Sequence, residues 1–331
     1  MTRVAAIDCG TNSIRLLVAD LHRDGSGDTR LTDVERRMEV VRLGQDVDRT
    51  GRIDPVALER TIAAARDYAE RCRAHGVERV RFVATSASRD ADNRQDFVDG
   101  VRDALGVVPE VITGTEEAEL SFRGALSVLD RAEGAGPPHL VVDIGGGSTE
   151  FVLGDGEQLT SRSVDLGCVR LTERHLRSDP PTHDEIAAAR VEVRARIDEA
   201  AAVVPLERVR TLVGVAGTVT TVTAHALGLA TYDPAAIDGA SLEPEVVHGS
   251  CASLLAATHA ERAAMGFMHP GRIDVIGAGA LIWSEIVSRV ETDVGPRGVG
   301  GSGEDGSGGA GLGRVLTSEH DILDGIALSL S

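Results

Sequence analysis

The order of apolar and polar positions predicts strands and helices that alternate along the whole chain. Residues 4–7 and 14–20 are apolar runs of strand length. Residues 55–75 instead carry apolar side chains at helical spacing, and Asp54 and Gly76 stand where a helix would be capped and would end. Because strands alternate with helices of this length, the pattern predicts an α/β fold.

The same criteria assign the remaining elements. Further strands are predicted at residues 80–85, 107–113, 140–144, 150–153 and 211–215, and further helices at residues 93–105, 116–130, 184–203, 279–290 and 318–330. A polar Gly/Pro segment at 133–138 divides these elements into two blocks, in line with a length of 331 residues. The segment 295–313 holds 10 glycines in 19 residues and is predicted to be a flexible loop.

A short motif occurs twice, at an offset of 135 residues. Each copy has an apolar strand, an Asp, a Gly two positions later and a Ser three positions after that, followed by a second apolar strand. The copies are Ile7-Asp8-Cys9-Gly10-Thr11-Asn12-Ser13 and Val142-Asp143-Ile144-Gly145-Gly146-Gly147-Ser148. A third glycine turn, at residues 213–218, again follows a strand and opens a helix. A repeat on this scale indicates a duplicated domain.

These turns have the composition of phosphate-binding loops. Glycine lets the backbone come close to a ligand and direct N–H groups at an anion, and Ser and Thr hydroxyls add donors. An Asp at the mouth of such a turn can hold a divalent cation whose coordination phosphate oxygens complete. The alternative is a set of ordinary hairpin turns in which Gly and Asn supply a positive φ. Two matched copies and a third turn favour the phosphate-binding interpretation.

Charge and composition narrow the class of protein. The chain has 34 basic and 52 acidic side chains, a formal charge of −18 and no lysine, so every basic side chain is arginine. The missing lysine excludes a Walker-A loop, a protein-kinase strand lysine and Schiff-base chemistry. The acidic balance and the 2% of aromatic residues argue against nucleic acid or membrane partners.

Cysteine and histidine show no pattern of a disulfide framework or a zinc site. The four cysteines lie far apart without a Cys-x-x-Cys, and the ten histidines are scattered. No apolar run reaches the roughly 18 residues of a spanning helix, and the N-terminus leads directly into a strand. We therefore expect reduced thiols and a cytoplasmic location.

Taken in order along the chain, the motifs resemble those of one enzyme family. Residues 8–15 and 143–150 look like the two phosphate motifs of the actin, sugar-kinase and heat-shock-ATPase superfamily. Within it, the chain is similar to the exopolyphosphatase and guanosine pentaphosphate phosphohydrolase family, through residues 84–91, 114–118, 165–172, 216–220, 272–276 and 318–323. Cys9, Glu119 and the segment 295–313 depart from the family pattern.

The resemblance implies two actin-like (ribonuclease-H-like) domains with an active-site cleft between them. The first would cover residues 1–128, with the C-terminal helix 318–330 returning to it, and the second would cover residues 139–317. The implied activity is hydrolysis of the terminal phosphoanhydride of inorganic polyphosphate with Mg²⁺ or Mn²⁺, on short chains because the family's additional domains are missing. Guanosine pentaphosphate is the alternative substrate, and a homodimer is implied by analogy.

The resemblance also assigns roles to single residues. Glu117 resembles the catalytic carboxylate that orients the attacking water, whereas Glu116 is explained by a helix-start capping box. Arg89 would clamp a phosphate and neutralise developing charge. The candidate metal ligands are Asp143, Glu150 and, in the first copy of the motif, Asp8.

The candidate phosphate ligands come from the three turns and one arginine that follows the first. They are Gly10, Thr11, Asn12, Ser13, Arg15, Gly145, Gly146, Gly147, Ser148, Thr149, Gly217 and Thr218. Two functions of other classes stay open, an ATP-dependent kinase of the same superfamily and an actin-like nucleotide-binding protein. The Glu-Glu-Ala sequence at residues 116–118 favours hydrolysis over transfer to a metabolite.

Overall fold

The chain divides into two compact units. The computed structural model describes residues 1–23, 29–129, 135–154, 158–295 and 311–331. Unit 1 comprises Met1–Gly124 and Asp321–Ser331, and unit 2 comprises Ala125–His320. Most of the segment 295–313, predicted to be a flexible loop, lies outside the described residues.

Strands and helices alternate from one end of the chain to the other. The strands are Thr2–Cys9 (β1), Ser13–Arg23 (β2), Thr29–Val40 (β3), Arg79–Ala84 (β4), Glu110–Val111 (β5), His139–Ile144 (β6), Thr149–Gly154 (β7), Leu159–Val164 (β8), Thr211–Val215 (β9), Ser241–Leu242 (β10) and Val315–Thr317 (β11). The helices are Val47–Thr50 (α1), Pro55–Ala74 (α2), Ser86–Asp90 (α3), Arg94–Leu105 (α4), Gly114–Leu129 (α5), Cys168–His175 (α6), His183–Ala201 (α7), Ala216–Ala226 (α8), Pro234–Ile237 (α9), Pro244–Ala256 (α10), His259–Ala264 (α11), Ile276–Val294 (α12) and Ile322–Leu328 (α13). Among the described helices, none is long and apolar enough to cross a membrane.

Unit 1 is built on a five-stranded sheet in the order β3-β2-β1-β4-β5. β1, β2 and β3 form an antiparallel meander, and β4 and β5 run parallel to β1. Alternate residues of β1 are buried in two different cores, with Ala5 and Ile7 facing α2 and α4, and Val4 and Ala6 facing α5 and α13. A continuous apolar run therefore marks β1 as a strand that is covered on both faces.

The C-terminal helix α13 is fixed to this sheet by ion pairs as well as by apolar contacts. Its N-cap residue Asp321 pairs with Arg15 of β2, and Asp324 in its first turn accepts hydrogen bonds of 2.6 and 3.1 Å from Arg36 of β3. Gly124 of α5 packs so closely that a Cβ there would lie 1.8 Å from the Asp321 carbonyl oxygen. The end of the chain is thus an integral part of unit 1.

Unit 2 repeats this arrangement on a six-stranded sheet in the order β10-β11-β9-β6-β7-β8. β6, β7 and β8 form the antiparallel meander, β9 runs parallel to β6, and β11 runs parallel to β9. Because β6 begins a meander just as β1 does, the sequence repeat corresponds to a structural one. The predicted fold class, α/β with two actin-like units, is confirmed. The cleft implied between them stays a prediction.

Three predicted elements differ most from the structure in their bounds. The strand predicted at 107–113 is reduced to β5, because Pro109 supplies no N–H for pairing. The helix predicted at 279–290 begins earlier, at Ile276, because two glycines of its first turn are close-packing positions and not helix breakers. The helix predicted at 318–330 is shorter, because Asp321 is its N-cap and begins it at Ile322.

Four strands, β3, β8, β10 and β11, are not predicted by the sequence pattern. β3 and β8 occupy equivalent places, as the third strand of each meander and the edge of each sheet. Most side chains of β3 are exposed or half-buried, and charged residues are frequent along it. Such a strand is held in the sheet by backbone pairing, and its charged side chains protect the open edge from pairing with other strands. The strand therefore lacks the alternation of apolar and polar residues by which a strand is predicted.

All four cysteines are buried free thiols. Burial raises the pKa of Cys72 and of Cys168 to about 11. Burial also raises the pKa of Cys9 and of Cys251 well above the ordinary value of a thiol. These side chains are therefore protonated and poorly nucleophilic at neutral pH.

Candidate active site

Two hairpin turns with the same geometry lie at equivalent places in the two sheets. Residues 10–13 (turn one) join β1 to β2, and residues 145–148 (turn two) join β6 to β7. In each turn the N–H of the first glycine donates to the carbonyl of the serine three residues later, at 2.9 Å in turn one and 3.0 Å in turn two. The residues facing each other across the strands also correspond, Asp8 with Arg15 and Asp143 with Glu150.

A positive φ does not explain the glycines of turns one and two. None of them is among the described residues with a positive φ, so the alternative of ordinary positive-φ turns is wrong. A Cβ on Gly10 would meet nothing closer than the Ser13 carbonyl oxygen at 3.7 Å and the Thr85 hydroxyl at 3.9 Å. Neither conformation nor packing demands a glycine at this position, and the space beside it can admit a ligand.

We expect Gly10→Ala to raise the KM for polyphosphate, the predicted substrate, without lowering the melting temperature. The methyl group fits the fold but occupies the space beside the turn, and Gly to Ala at a compatible φ stabilises by about 0.4–1 kcal/mol. Gly106→Ala is the control with the opposite pattern, since Gly106 has a φ of 75° at the end of α4 and should lose stability with KM unchanged. For both variants, steady-state orthophosphate release measures the KM and thermal unfolding measures the melting temperature. An unchanged KM in Gly10→Ala would contradict a ligand at turn one.

In unit 1 the residue that faces Asp8 is a cation. Arg15 donates to the Asp8 carboxylate from Nε at 3.0 Å and from Nη2 at 2.7 Å, and its Nη1 pairs with Asp321. Burial raises the pKa of Asp8, and the Arg15 guanidinium opposes that rise. Arg15, a predicted phosphate ligand, therefore directs three donors at carboxylates, and Asp8, a predicted metal ligand, already has a cationic partner. Both roles stay predictions.

In unit 2 the corresponding pair consists of two carboxylates. Asp143 on β6 and Glu150 on β7 lie directly opposite each other and are 6% and 1% exposed. Residues so placed have Cβ atoms roughly 4.5–5.5 Å apart, and like charges there destabilise a sheet. Glu150 Oε1 accepts a 2.7 Å hydrogen bond from the Ser163 hydroxyl of β8, which fixes the carboxylate. A divalent cation would offset the repulsion between them.

The pair fits a Mg²⁺ site that substrate would complete. Among the residues that the structure describes, no three His, Cys, Asp or Glu side chains come together as a possible metal site. Mg²⁺ usually keeps several waters and binds through one or two carboxylates and substrate phosphates. Asp143 and Glu150 supply that number of carboxylates beside turn two.

Glu117 and Arg89, the predicted catalytic residues, contact each other in unit 1. Glu117 lies in the first turn of α5 and is 7% exposed, and Arg89 lies in the last turn of α3. Arg89 Nη1 donates to the Glu117 carboxylate at 3.2 Å and to the Ile112 carbonyl oxygen at 3.0 Å. Because the guanidinium is held by a backbone carbonyl, it fixes the orientation of the carboxylate beside it.

The neighbouring Glu116 has a different role. The Thr113 hydroxyl accepts the Glu116 N–H at 3.2 Å, which confirms that half of the predicted capping box. The Glu116 carboxylate, however, pairs with Arg81 at 2.7 Å. The reciprocal half of the box is therefore wrong, because an arginine on β4 is the stronger partner for this carboxylate.

Turn two rests on the start of α6 through its carbonyl groups. The N–H groups of Cys168 and Val169 donate to the carbonyls of Gly145 and Gly146, at 3.0 and 2.9 Å. A Cβ on Gly167 would come within 2.3 Å of Gly146 backbone atoms, so a side chain there would separate α6 from the turn. Since a trans peptide points its N–H opposite to its C=O, the next N–H groups of turn two are directed away from α6.

Turn one is held in the same way by residues 41–44, a segment to which the sequence assigns no role. The N–H groups of Val41 and Arg42 donate to the Asn12 carbonyl at 3.1 and 2.9 Å, and the N–H of Gly44 donates to the Thr11 carbonyl at 2.8 Å. A Cβ on Gly44 would lie 2.3 Å from Thr11 Cγ2. The carbonyls of turn one therefore face this segment, and the N–H groups that follow them face the opposite side.

Turn three combines a strained residue with a closely packed arginine. Ala216 has a φ of 66°, in the left-handed region that is unfavourable for a residue with a Cβ. The Arg272 guanidinium covers Gly217, where a Cβ would lie 2.1 Å from it, and donates to the Gly217 carbonyl at 2.9 Å. Sequence reasoning gives Arg272 no role, although its motif at 272–276 is family-like.

The predicted site residues divide between the two units. Unit 1 holds Asp8, Gly10, Thr11, Asn12, Ser13, Arg15, Arg89 and Glu117, and unit 2 holds Asp143, Gly145, Gly146, Gly147, Ser148, Thr149, Glu150, Gly217 and Thr218. Two of the hydroxyls have protein partners: Thr11 bonds the Ser86 hydroxyl at 2.9 Å, and Thr149 donates to the Leu166 carbonyl at 2.6 Å. Their roles as phosphate ligands stay predictions.

Comparisons with known proteins identify the family of this chain. The sequence model of the Ppx/GppA phosphatase family matches residues 19–302. A Mycobacterium tuberculosis protein named Exopolyphosphatase 2 is 51% identical over 338 residues, which cover 100% of this chain and 99% of that protein.

Solved structures give the same result. A protein described as exopolyphosphatase-like is 46% identical with a TM-score of 0.89, covering 99% of this chain and 98% of its own. An exopolyphosphatase from Cytophaga hutchinsonii is 26% identical with a TM-score of 0.80, covering 99% and 97%. The Aquifex aeolicus PPX-GPPA enzyme is 29% identical with a TM-score of 0.76, covering 99% of each chain. The resemblance inferred from the motifs is therefore confirmed, and this chain belongs to the Ppx/GppA phosphatase family.

Proposed function

We propose that this protein is an exopolyphosphatase, which hydrolyses the terminal phosphoanhydride of inorganic polyphosphate and releases orthophosphate. The full-length similarity to a protein named Exopolyphosphatase 2 supports this choice of substrate. The structural observation that carries the proposal is the facing pair of Asp143 and Glu150 beside turn two. A buried pair of carboxylates next to glycine-turn N–H groups suits a phosphate chain that carries a divalent cation.

In this proposal the reaction is a direct attack of water on the terminal phosphorus. Glu117 orients the water and accepts its proton, the new P–O bond forms, and the bridging P–O bond breaks to release a chain shortened by one phosphate. Arg89 has further guanidinium N–H groups besides those of Nη1, and these would stabilise charge on the transferred phosphoryl group. Positioning and charge stabilisation supply most of the catalysis in such a reaction.

We propose Asp143 and Glu150 as the residues that hold Mg²⁺ or Mn²⁺. When bound, the cation neutralises charge on the phosphate oxygens as a Lewis acid. For Asp8 we propose a mainly structural role, because its carboxylate is occupied by the two Arg15 hydrogen bonds. A preference for short chains, a cytoplasmic location and a homodimer stay predictions.

A substrate comparison tests the proposal. Purified protein with Mg²⁺ is incubated with short polyphosphate, long polyphosphate, guanosine pentaphosphate or ATP, and orthophosphate is measured. We expect the fastest release from polyphosphate, because its terminal phosphoanhydride carries no group other than phosphate. Release from guanosine pentaphosphate but not from polyphosphate would make guanosine pentaphosphate the substrate. This outcome is chemically possible, since both compounds end in a phosphoanhydride. No orthophosphate from any of the four compounds would contradict a hydrolase and leave a phosphoryl-transfer or nucleotide-binding function.

A further inference from the structure

The carboxyl ends of β1, β4 and β5 lie side by side in the sheet of unit 1. The three strands are parallel, and Cys9 of β1 pairs with Ala84 of β4, which in turn pairs with Val111 of β5. Turn one follows β1, and the segment that leads into α5 follows β5. Since Glu117 lies in the first turn of α5, the predicted phosphate turn and the predicted base follow the two outer strands of this row.

Thr85 occupies the middle of the row. It follows β4 directly, and its N–H donates to the Cys9 carbonyl at 3.1 Å, beside the start of turn one. Neighbouring strands lie about 4.8 Å apart, so the ends of β1 and β5 are separated by roughly 10 Å. A terminal phosphate that is bound at turn one and attacked by water from the side of Glu117 would therefore lie close to Thr85.

The Thr85 hydroxyl faces turn one and has no hydrogen-bond partner among the described residues. Its Oγ1 lies 3.9 Å from the position of a Cβ on Gly10. The residue is 3% exposed, and its side chain makes no capping hydrogen bond to α3, which follows it. The neighbouring Ser86 hydroxyl, by contrast, bonds that of Thr11. Because a buried hydroxyl without a partner is unfavourable, we expect a ligand to accept a hydrogen bond from Thr85.

The internal repeat gives Thr85 the place of a predicted phosphate ligand of unit 2. β9 runs parallel to β6 as β4 runs parallel to β1. Continued past the strand ends, the register of unit 2 sets Gly217 of turn three beside Gly145 of turn two. In unit 1 the same continuation sets Thr85 beside Gly10. Thr85 brings to this place a side-chain donor that a glycine lacks.

We propose that Thr85 is a substrate-binding residue whose hydroxyl donates a hydrogen bond to an oxygen of the terminal phosphate. The inference rests on the proposed function and adds to it a residue between turn one and Glu117. Hydrogen bonds to a charged acceptor are about twice as strong as those between neutral groups, so the contribution of one hydroxyl is measurable. No bond forms or breaks at Thr85, which holds the phosphate in place for the attack of water.

Thr85→Val and Thr85→Ser separate the hydroxyl from the shape of the side chain. Valine has a similar shape and no donor, so the KM for polyphosphate should rise about tenfold or more while kcat changes less. The melting temperature should stay equal or rise, because no hydrogen bond within the protein is lost. Serine keeps the donor, and its KM should stay close to that of the wild type. Steady-state orthophosphate release measures KM and kcat, and thermal unfolding measures the melting temperature.

Ser88→Ala is the matched control. Ser88 lies on α3, three residues after Thr85, and its hydroxyl is likewise buried without a partner among the described residues. Its removal should also leave the melting temperature equal or higher. The KM should remain that of the wild type, because Ser88 is 0% exposed and no ligand reaches its hydroxyl.

Binding without turnover provides a second measurement. In a Glu117→Gln background, where hydrolysis is expected to be slow, polyphosphate should raise the melting temperature because it binds the folded protein. Adding Thr85→Val should reduce this rise, whereas adding Ser88→Ala should not.

Three results would overturn the inference. One is a Thr85→Val protein with the KM and kcat of the wild type. Another is a lower kcat at an unchanged KM, which would assign the hydroxyl to the attacking water. The third is a KM that rises equally in Thr85→Ser, or together with a lower melting temperature, which would make Thr85 a structural residue. Failure of the proposed function is a separate outcome, because the wild-type protein would then release no orthophosphate from polyphosphate.

Discussion

Glu117→Gln is expected to lower the rate of orthophosphate release by about 10²- to 10⁴-fold, the usual contribution of a general base. The amide keeps the size of the side chain and can still accept the hydrogen bond from Arg89, but it cannot take a proton from water. The amide fills the same buried space as the carboxylate, so thermal unfolding should shift only by the loss of the ion pair with Arg89. Initial rates at saturating polyphosphate measure the loss of activity, and circular dichroism verifies the fold and follows its thermal unfolding.

Glu116→Gln is the matched control for this experiment. It makes the same chemical change one residue away, in a side chain that pairs with Arg81. We expect an activity close to that of the wild type and a small loss of stability, since partly exposed ion pairs contribute little. Equal activities of Glu117→Gln and the wild type, or equal losses in both variants, would contradict Glu117 as the base.

Asp143→Asn and Glu150→Gln are expected to raise the Mg²⁺ concentration for half-maximal activity by about tenfold or more, because each removes one of two carboxylate ligands. The variants should not be less stable in the absence of metal. Both substitutions remove a like charge from a directly opposite buried pair, and this relieves repulsion in the sheet. Mg²⁺ titrations of activity and thermal unfolding in a chelator measure the two effects.

Asp8→Asn makes the equivalent change in the first copy of the motif and should behave in the opposite way. It weakens the partner of Arg15, so the melting temperature should fall while the Mg²⁺ dependence stays that of the wild type. If Asp8→Asn instead shifts the Mg²⁺ dependence as Asp143→Asn does, Asp8 is also a metal ligand. If none of the three variants changes it, the facing carboxylates do not hold the cation.

The fold was predictable in the longer elements, where burial imposes a pattern on the sequence. β1 and β6 are covered on both faces and therefore appear as apolar runs, and α2 shows both helical spacing and its Asp54 cap. β3 and β8 are edge strands whose side chains are largely in contact with solvent. They are held in their sheets by backbone hydrogen bonds, which do not depend on residue type and so cannot be predicted from it. The start of α12 was obscured because its glycines serve close packing, which depends on residues distant in sequence.

The candidate site was predictable where the chemistry is local to a turn. The glycine turns and the Asp before each of the first two stand out by their repeated spacing, whereas Glu150 was assigned through the family resemblance. The partners of those groups come from distant parts of the chain, as with Arg15, whose second carboxylate is Asp321, and Gly217, which is covered by Arg272. The left-handed φ of 51° at Arg42 likewise cannot be read from residue type, because arginine rarely adopts this conformation.

The burial of all four thiols makes this protein a convenient starting point for site-specific labelling. A cysteine introduced at an exposed position, such as Val56→Cys in unit 1 or Val191→Cys in unit 2, would react with maleimides far faster than the native cysteines, since these positions are 59% and 71% exposed. The absence of lysine restricts amine reagents to the α-amino group. A pair of fluorophores, one on each unit, could therefore follow the distance between the units during turnover without removal of any native residue that reacts with the dyes.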